Sequence, residues 1–166
     1  MTSVRTSPDN SCQRKEKRLS TLERAIAIAA EAHTGQTDKA GAAYVLHPLR
    51  VMLAVGTDDE RIVAVLHDVC EDCPDWSIER LAVEGFAPRI LDGIASVTKR
   101  EGEDYQSFVR RAASNPLGRA VKLADLRDNM DLSRIANPTE KDLRRVERYR
   151  AALEIVDRPR FGVTTD

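Results

Sequence analysis

The sequence predicts an all-α protein, on three observations. Apolar residues recur at helical spacing through most of the chain. No alternating run is long enough to make a strand. Only 4% of residues are aromatic, so the core must be built from Ala, Leu, Val and Ile, as packed helices allow. At 166 residues the chain suits one domain, and about eight helices are expected in it. Residues 1–18 are polar and charged and read as a disordered lead-in. Residues 159–166 read as a short tail, leaving 19–158 for the helical domain.

The first helix is expected to start at Ser20, an N-cap residue with Glu23 three positions on. Leu22, Ile26, Ala29 and Ala30 share one face, and Gly35 stops it. A loop follows. Pro48 suits the first turn of a second helix, opened by His47 and running to Gly56. Asp58 and Asp59 start a third, which runs through Ile62, Val63, Val65, Leu66 and Val69 until Pro74 ends it. Asp75 or Ser77 caps a short helix to Glu84, and Pro88 begins another to Val97. Tyr105–Ala113, residues 116–134 and a last helix from Thr139 or Glu140 to Asp157 complete the set.

The formal net charge of −1 gives no basic field to attract a nucleic-acid polymer. A nucleotide-sized ligand needs only a local basic patch or a cation. No apolar run approaches the roughly 20 residues of a membrane helix, and the N-terminus has no apolar core, so a cytoplasmic location is expected. No pattern specifies an oligomeric state. Three cysteines, Cys12, Cys70 and Cys73, argue against a disulfide framework. Cys70 and Cys73 form a CxxC, which reads either as a redox or zinc pair or as ordinary packing. A structural zinc needs two further ligands nearby, and no second such pair exists.

The densest chemistry is the run HDVCED at 67–72. Residues three or four apart are neighbours on a helix, so His67 and Asp68 share a patch with Glu71 and Asp72. Three close carboxylates repel one another unless a cation compensates; the bland reading is a solvated acidic helix end. Asp125 lies inside an apolar helical run, where an unpaired carboxylate is costly. Metal ligation would satisfy it, as would a salt bridge to Lys122, Arg127 or Arg134. Asn129 is one turn on. These residues with His47 predict a metal held by His47, His67, Asp68 and Asp125. Glu71 and Asp72 are placed to orient or deprotonate a water for metal-assisted hydrolysis of a phosphate ester or anhydride. Manganese, iron, cobalt and zinc all fit such ligands.

The ordered motifs HTGQ…KAGAAYVLHP, VLHDVCED and VKLADLRDNM resemble the HD-domain hydrolases of the RelA/SpoT type, including the stand-alone small alarmone hydrolases. The resemblance spans about residues 22–157. It implies a manganese ion on His47, His67, Asp68 and Asp125, water assistance from Glu71 and Asp72, and a substrate contact from Asn129. It also implies removal of the 3′-pyrophosphate from guanosine tetra- or pentaphosphate. Where the family often carries an Arg-Lys pair, this chain has Asp38-Lys39. Leu126, Asp128 and Asp131 replace Arg, His and Arg, and Cys73 replaces Thr. These changes remove positive charge around the expected nucleotide. Lys39 and Arg127 are the expected phosphate contacts because they lie within motifs. Two alternatives stay open: turnover of another nucleotide or phosphorylated metabolite, and a silent nucleotide-binding module.

Overall fold

The computed structural model describes residues 20–158; the expected lead-in, the tail and Cys12 lie outside the described residues. Among the described residues there are nine helices and no strand. They are α1 (Leu22–Ala32), α2 (Leu46–Leu53), α3 (Asp58–Leu66), α4 (Val69–Asp72), α5 (Ile78–Glu84), α6 (Pro88–Val97), α7 (Tyr105–Ser114), α8 (Pro116–Met130) and α9 (Glu140–Asp157). An isolated antiparallel bridge joins Thr37 to Ala43 in the loop before α2. No helix among them is long and apolar enough to cross a membrane.

The ninth helix arises because the expected third helix is broken at His67 and Asp68. A continuous helix would give the Ala64 carbonyl to the Asp68 N–H. Instead that carbonyl faces the His67 N–H at 3.5 Å and the His67 Nδ1 at 2.7 Å. The chain restarts from Asp68, whose carbonyl accepts from Glu71 and Asp72. Capping also departs from expectation at α1. Thr21, not Ser20, is the N-cap and accepts from the Arg24 N–H, while Ser20 Oγ donates to the Glu84 carbonyl. Helix α3 opens on a full capping box between Thr57 and Glu60. Helix α8 stops at Met130, short of the expected 134.

Helix α3 is the centre of the packing. Ile62, Val63, Ala64, Val65 and Leu66 are all buried, so it has no solvated face over its second half. Each Val, Leu or Ile buried there contributes about 1.5–3 kcal/mol. Helices α1, α2, α6 and α8 pack around it. A second apolar cluster, with Val109, Leu126, Ala152 and Val156, joins α7, α8 and α9. Helix α8 thus belongs to both clusters and carries its polar residues between them. It approaches α6 closely at Gly118, where a Cβ would collide with Ser96 Oγ and lie 2.9 Å from the Ala112 carbonyl.

Candidate metal centre

Three segments deliver side chains to one point. The first turn of α2 supplies His47, the α3–α4 break supplies His67 and Asp68, and the middle of α8 supplies Asp125. His47, His67 and Asp68 offer ligand atoms all within 4.8 Å of one another. Asp68 Oδ2 lies 3.5 Å from His47 Nε2 and 3.2 Å from His67 Nε2. Asp125 Oδ1 lies 3.3 and 3.7 Å from the same two nitrogens. All four expected ligands therefore converge. The break at His67 is part of this: the bond of Nδ1 to the Ala64 carbonyl puts a proton on Nδ1 and turns Nε2 inward. That Nε2 is buried and makes no hydrogen bond. A buried imidazole nitrogen that faces two carboxylates calls for a positive charge between them, and imidazole with carboxylate is a suitable donor set for a divalent cation.

The electrostatics agree. Burial disfavours a charged imidazole at His47, but hydrogen bonds to Asp125 and Asp128 outweigh it and raise its pKa. Burial also opposes charge on His67, and Asp68 and Asp125 raise its pKa well above the ordinary value. The carboxylates thus call for positive charge, from protons or from a cation. Burial would raise Asp68, but His67 and His47 hold it down at about 2. Asp125 is buried too, yet Lys122 and the two imidazoles keep it far below the usual range. Lys122 Nζ donates to Asp125 Oδ2 at 2.9 Å, and the Asn129 amide donates to Oδ1 at 2.5 Å. Salt bridge and candidate ligand are therefore compatible at Asp125, one oxygen each.

The point opens into a cavity of about 560 Å³. Glu71, Asp72, Asn129 and Lys39 line it. Glu71 Oε2 accepts from the Lys99 N–H at 2.9 Å. Burial, Asp68 and Glu71 raise the Asp72 carboxyl above its ordinary pKa. Lys39 is exposed at the rim. Arg127 is not brought to the cavity. Two residues beyond Asp125 it has turned to the other side of α8, where it lines a smaller concavity of about 190 Å³ with Leu123 and Ala124.

The acidic replacements also read differently in place. Asp38 Oδ1 accepts from the Ala40 and Ala42 N–H groups and shapes its own loop. Asp131 accepts from the Ser133 N–H and pairs with Arg134. Asp128 accepts from Arg50 and Arg134 and contacts His47 Nδ1. Sequence reasoning missed two residues. Tyr44, whose hydroxyl donates to Asp68 Oδ2 at 2.7 Å and lies 3.4 Å from Asp72 Oδ2, sits three residues before His47. Arg50 sits three residues after His47, and the i,i+3 spacing was the available signal. Cys70 packs against the main core, and Cys73 caps α4 with its thiol toward the Ala32 carbonyl.

No family model matches the chain. Among curated proteins it is 34% identical over 121 residues to the guanosine-3′,5′-bis(diphosphate) 3′-pyrophosphohydrolase of Aquifex aeolicus, covering 66% of this chain and 17% of that protein. It is 31% identical over 149 residues to the bifunctional (p)ppGpp synthase/hydrolase RelA of Mycobacterium tuberculosis, covering 83% and 20%. The chain is a RelA/SpoT relative. A match of 28% over 129 residues to the bifunctional (p)ppGpp synthase/hydrolase SpoT of Escherichia coli covers 69% and 18%. The chain spans about a fifth of the length of these RelA/SpoT-type proteins.

Proposed function

We propose that this chain is a metal-dependent phosphohydrolase that removes the 3′-pyrophosphate of guanosine tetra- or pentaphosphate, or of a related nucleotide. The observation that carries it is the convergence of His47, His67, Asp68 and Asp125 on one point, with His67 Nε2 buried and undonated. The relatives named as 3′-pyrophosphohydrolases support the choice of bond. These four residues would hold the cation, manganese on the family resemblance, with iron, cobalt or zinc compatible with the ligands. A cation held there supplies Lewis acidity and charge neutralisation at the phosphate.

The chain's own residues do the rest. Tyr44 fixes Asp68 and faces Asp72, so it couples a ligand to the base. Asp72, with its proton affinity raised by burial and neighbouring carboxylates, takes a proton from the attacking water. Glu71, held by the Lys99 N–H, orients that water. Water adds at the phosphorus beside the ribose 3′-oxygen, the bond to that oxygen breaks, the oxygen takes a proton, and pyrophosphate leaves. Seven carboxylates and six Lys or Arg side chains line the cavity, a formal balance of −1. A divalent cation turns this to +1, which suits an anionic nucleotide. The reading takes a small-molecule substrate, with no nucleic-acid polymer or membrane as partner, and a cytoplasmic setting.

A second reading, turnover of another phosphorylated nucleotide or metabolite, is favoured by Asp38, which stands where the resembled family often has Arg. One assay separates the two. Pyrophosphate release from guanosine tetraphosphate with manganese, lost in Asp68→Ala, supports the first. Turnover confined to other members of a nucleotide panel supports the second, and no turnover of any member overturns both.

A further inference from the structure

Resting on the metal reading above, we infer that Asp128 is a positioning residue that holds His47 as a ligand and sets the affinity for the cation. Asp128 Oδ2 lies 2.7 Å from His47 Nδ1, and the two side chains are nearly buried. Both Asp128 oxygens accept from guanidinium N–H groups, Oδ1 and Oδ2 from Arg50 and Oδ2 also from Arg134, as a carboxylate does. An ionised carboxylate can only accept, so His47 Nδ1 must carry the proton. That leaves His47 Nε2 as an acceptor, directed at Asp68 and Asp125. His67 reaches the same state by a different bond, from its Nδ1 to a backbone carbonyl. Both imidazoles thus present Nε2 to one point, each fixed from behind.

The carboxylate is itself fixed. Arg50 Nε donates to Oδ1 at 2.7 Å and Nη2 to Oδ2 at 3.1 Å, a bidentate grip from one turn after His47. Arg134 Nη2 donates to Oδ2 at 3.3 Å and to the Asp128 carbonyl at 2.8 Å, tying the end of α8 to the segment after it. Ligand, carboxylate and guanidinium therefore form one closed unit between α2 and α8. This assigns a role to a residue whose charge would otherwise count only against an anionic substrate. A carboxylate behind a ligating imidazole fixes its tautomer and raises its basicity, and losing such a partner weakens metal affinity by roughly 10- to 100-fold.

The test is manganese titration of the full chain, followed by the resonance signal of the free ion. Asp128→Asn should weaken binding roughly 10- to 100-fold. Glu154→Gln removes the same charge from an exposed position of α9 outside the cavity and should leave affinity unchanged. Nitrogen NMR of the metal-free protein, at a pH high enough that His47 is neutral, should show its proton on Nδ1 in the wild type and a mixture of tautomers in Asp128→Asn. If Asp128→Asn fails to fold, Arg50→Gln, which loosens the carboxylate without removing it, should still weaken manganese several-fold. Wild-type affinity in Asp128→Asn, or in Arg50→Gln where that variant stands in, overturns the inference and leaves the metal reading standing. A wild-type chain that binds no manganese overturns both.

Discussion

Asp125 holds two jobs on one carboxylate. Its Oδ2 neutralises the buried Lys122 ammonium and its Oδ1 faces both imidazoles. Removing it should leave Lys122 charged and unpaired, a loss of about 3–5 kcal/mol in the metal-free protein. Urea denaturation of Asp125→Ala checks this. Adding Lys122→Met should recover most of the stability and none of the manganese binding. If Asp125→Ala alone unfolds like the wild type, the pair does not matter to the fold. Glu71→Gln and Asp72→Asn belong to the chemistry. Each should lower kcat by roughly 10²–10⁴-fold while manganese affinity changes little. Equal loss of affinity would move them into the ligand set. At this scale the sequence exposed the four converging residues, because each sits in a motif with its own spacing. It hid what stands behind them. Asp128 looked like lost positive charge until Arg50 and Arg134 were seen around it, and Arg127 looked like a motif cation until helix geometry turned it away.

Helix ends were legible where Pro or a capping side chain marks them, as at Ser77, Pro88 and Thr139. The break inside VLHDVCED was not, since the hydrogen bond that accompanies it comes from the His67 side chain. Two contacts between elements carry predictions. Gly118→Ala puts a Cβ into Ser96 Oγ where α8 crosses α6 and should cost about 1–3 kcal/mol by denaturant melt. Pairing it with Ser96→Ala should recover part of that, because the oxygen is then gone; full cost in both variants would place the clash elsewhere. Between α6 and α7, Arg111 donates to the Ala95, Ser96 and Thr98 carbonyls and grips Glu103. It thereby satisfies carbonyls that the end of α6 leaves open. Arg111 holds the Glu103 carboxyl down at about 2. A carboxyl depressed in the folded state adds stability above its ordinary pKa, and that stability is lost as pH falls toward about 2. Glu103→Gln should therefore be less stable than the wild type at neutral pH, and the gap should close in acid. A constant gap would exclude the ion pair as its cause.

The whole molecule is arranged so that α3, with no solvated face over its second half, fixes the depth of the site, while α2 and α8 bring residues from about 80 positions apart against it. Local pattern showed the helices and the motifs pointed to the meeting of His47 with Asp125, but neither showed how α8 is shared between two apolar clusters. A cation that binds only this folded arrangement should stabilise all of it, by about 2.7 kcal/mol at a hundredfold excess over its Kd. Chelation should lower the melting temperature accordingly. The most direct measurement is the stoichiometry of manganese bound to the chelated, then reloaded, chain. One ion per chain in the wild type, and none in the Asp68→Ala Asp125→Ala double variant, is the expected result. No ion in the wild type, or an ion that persists without either aspartate, would contradict a metal centre at His47, His67, Asp68 and Asp125.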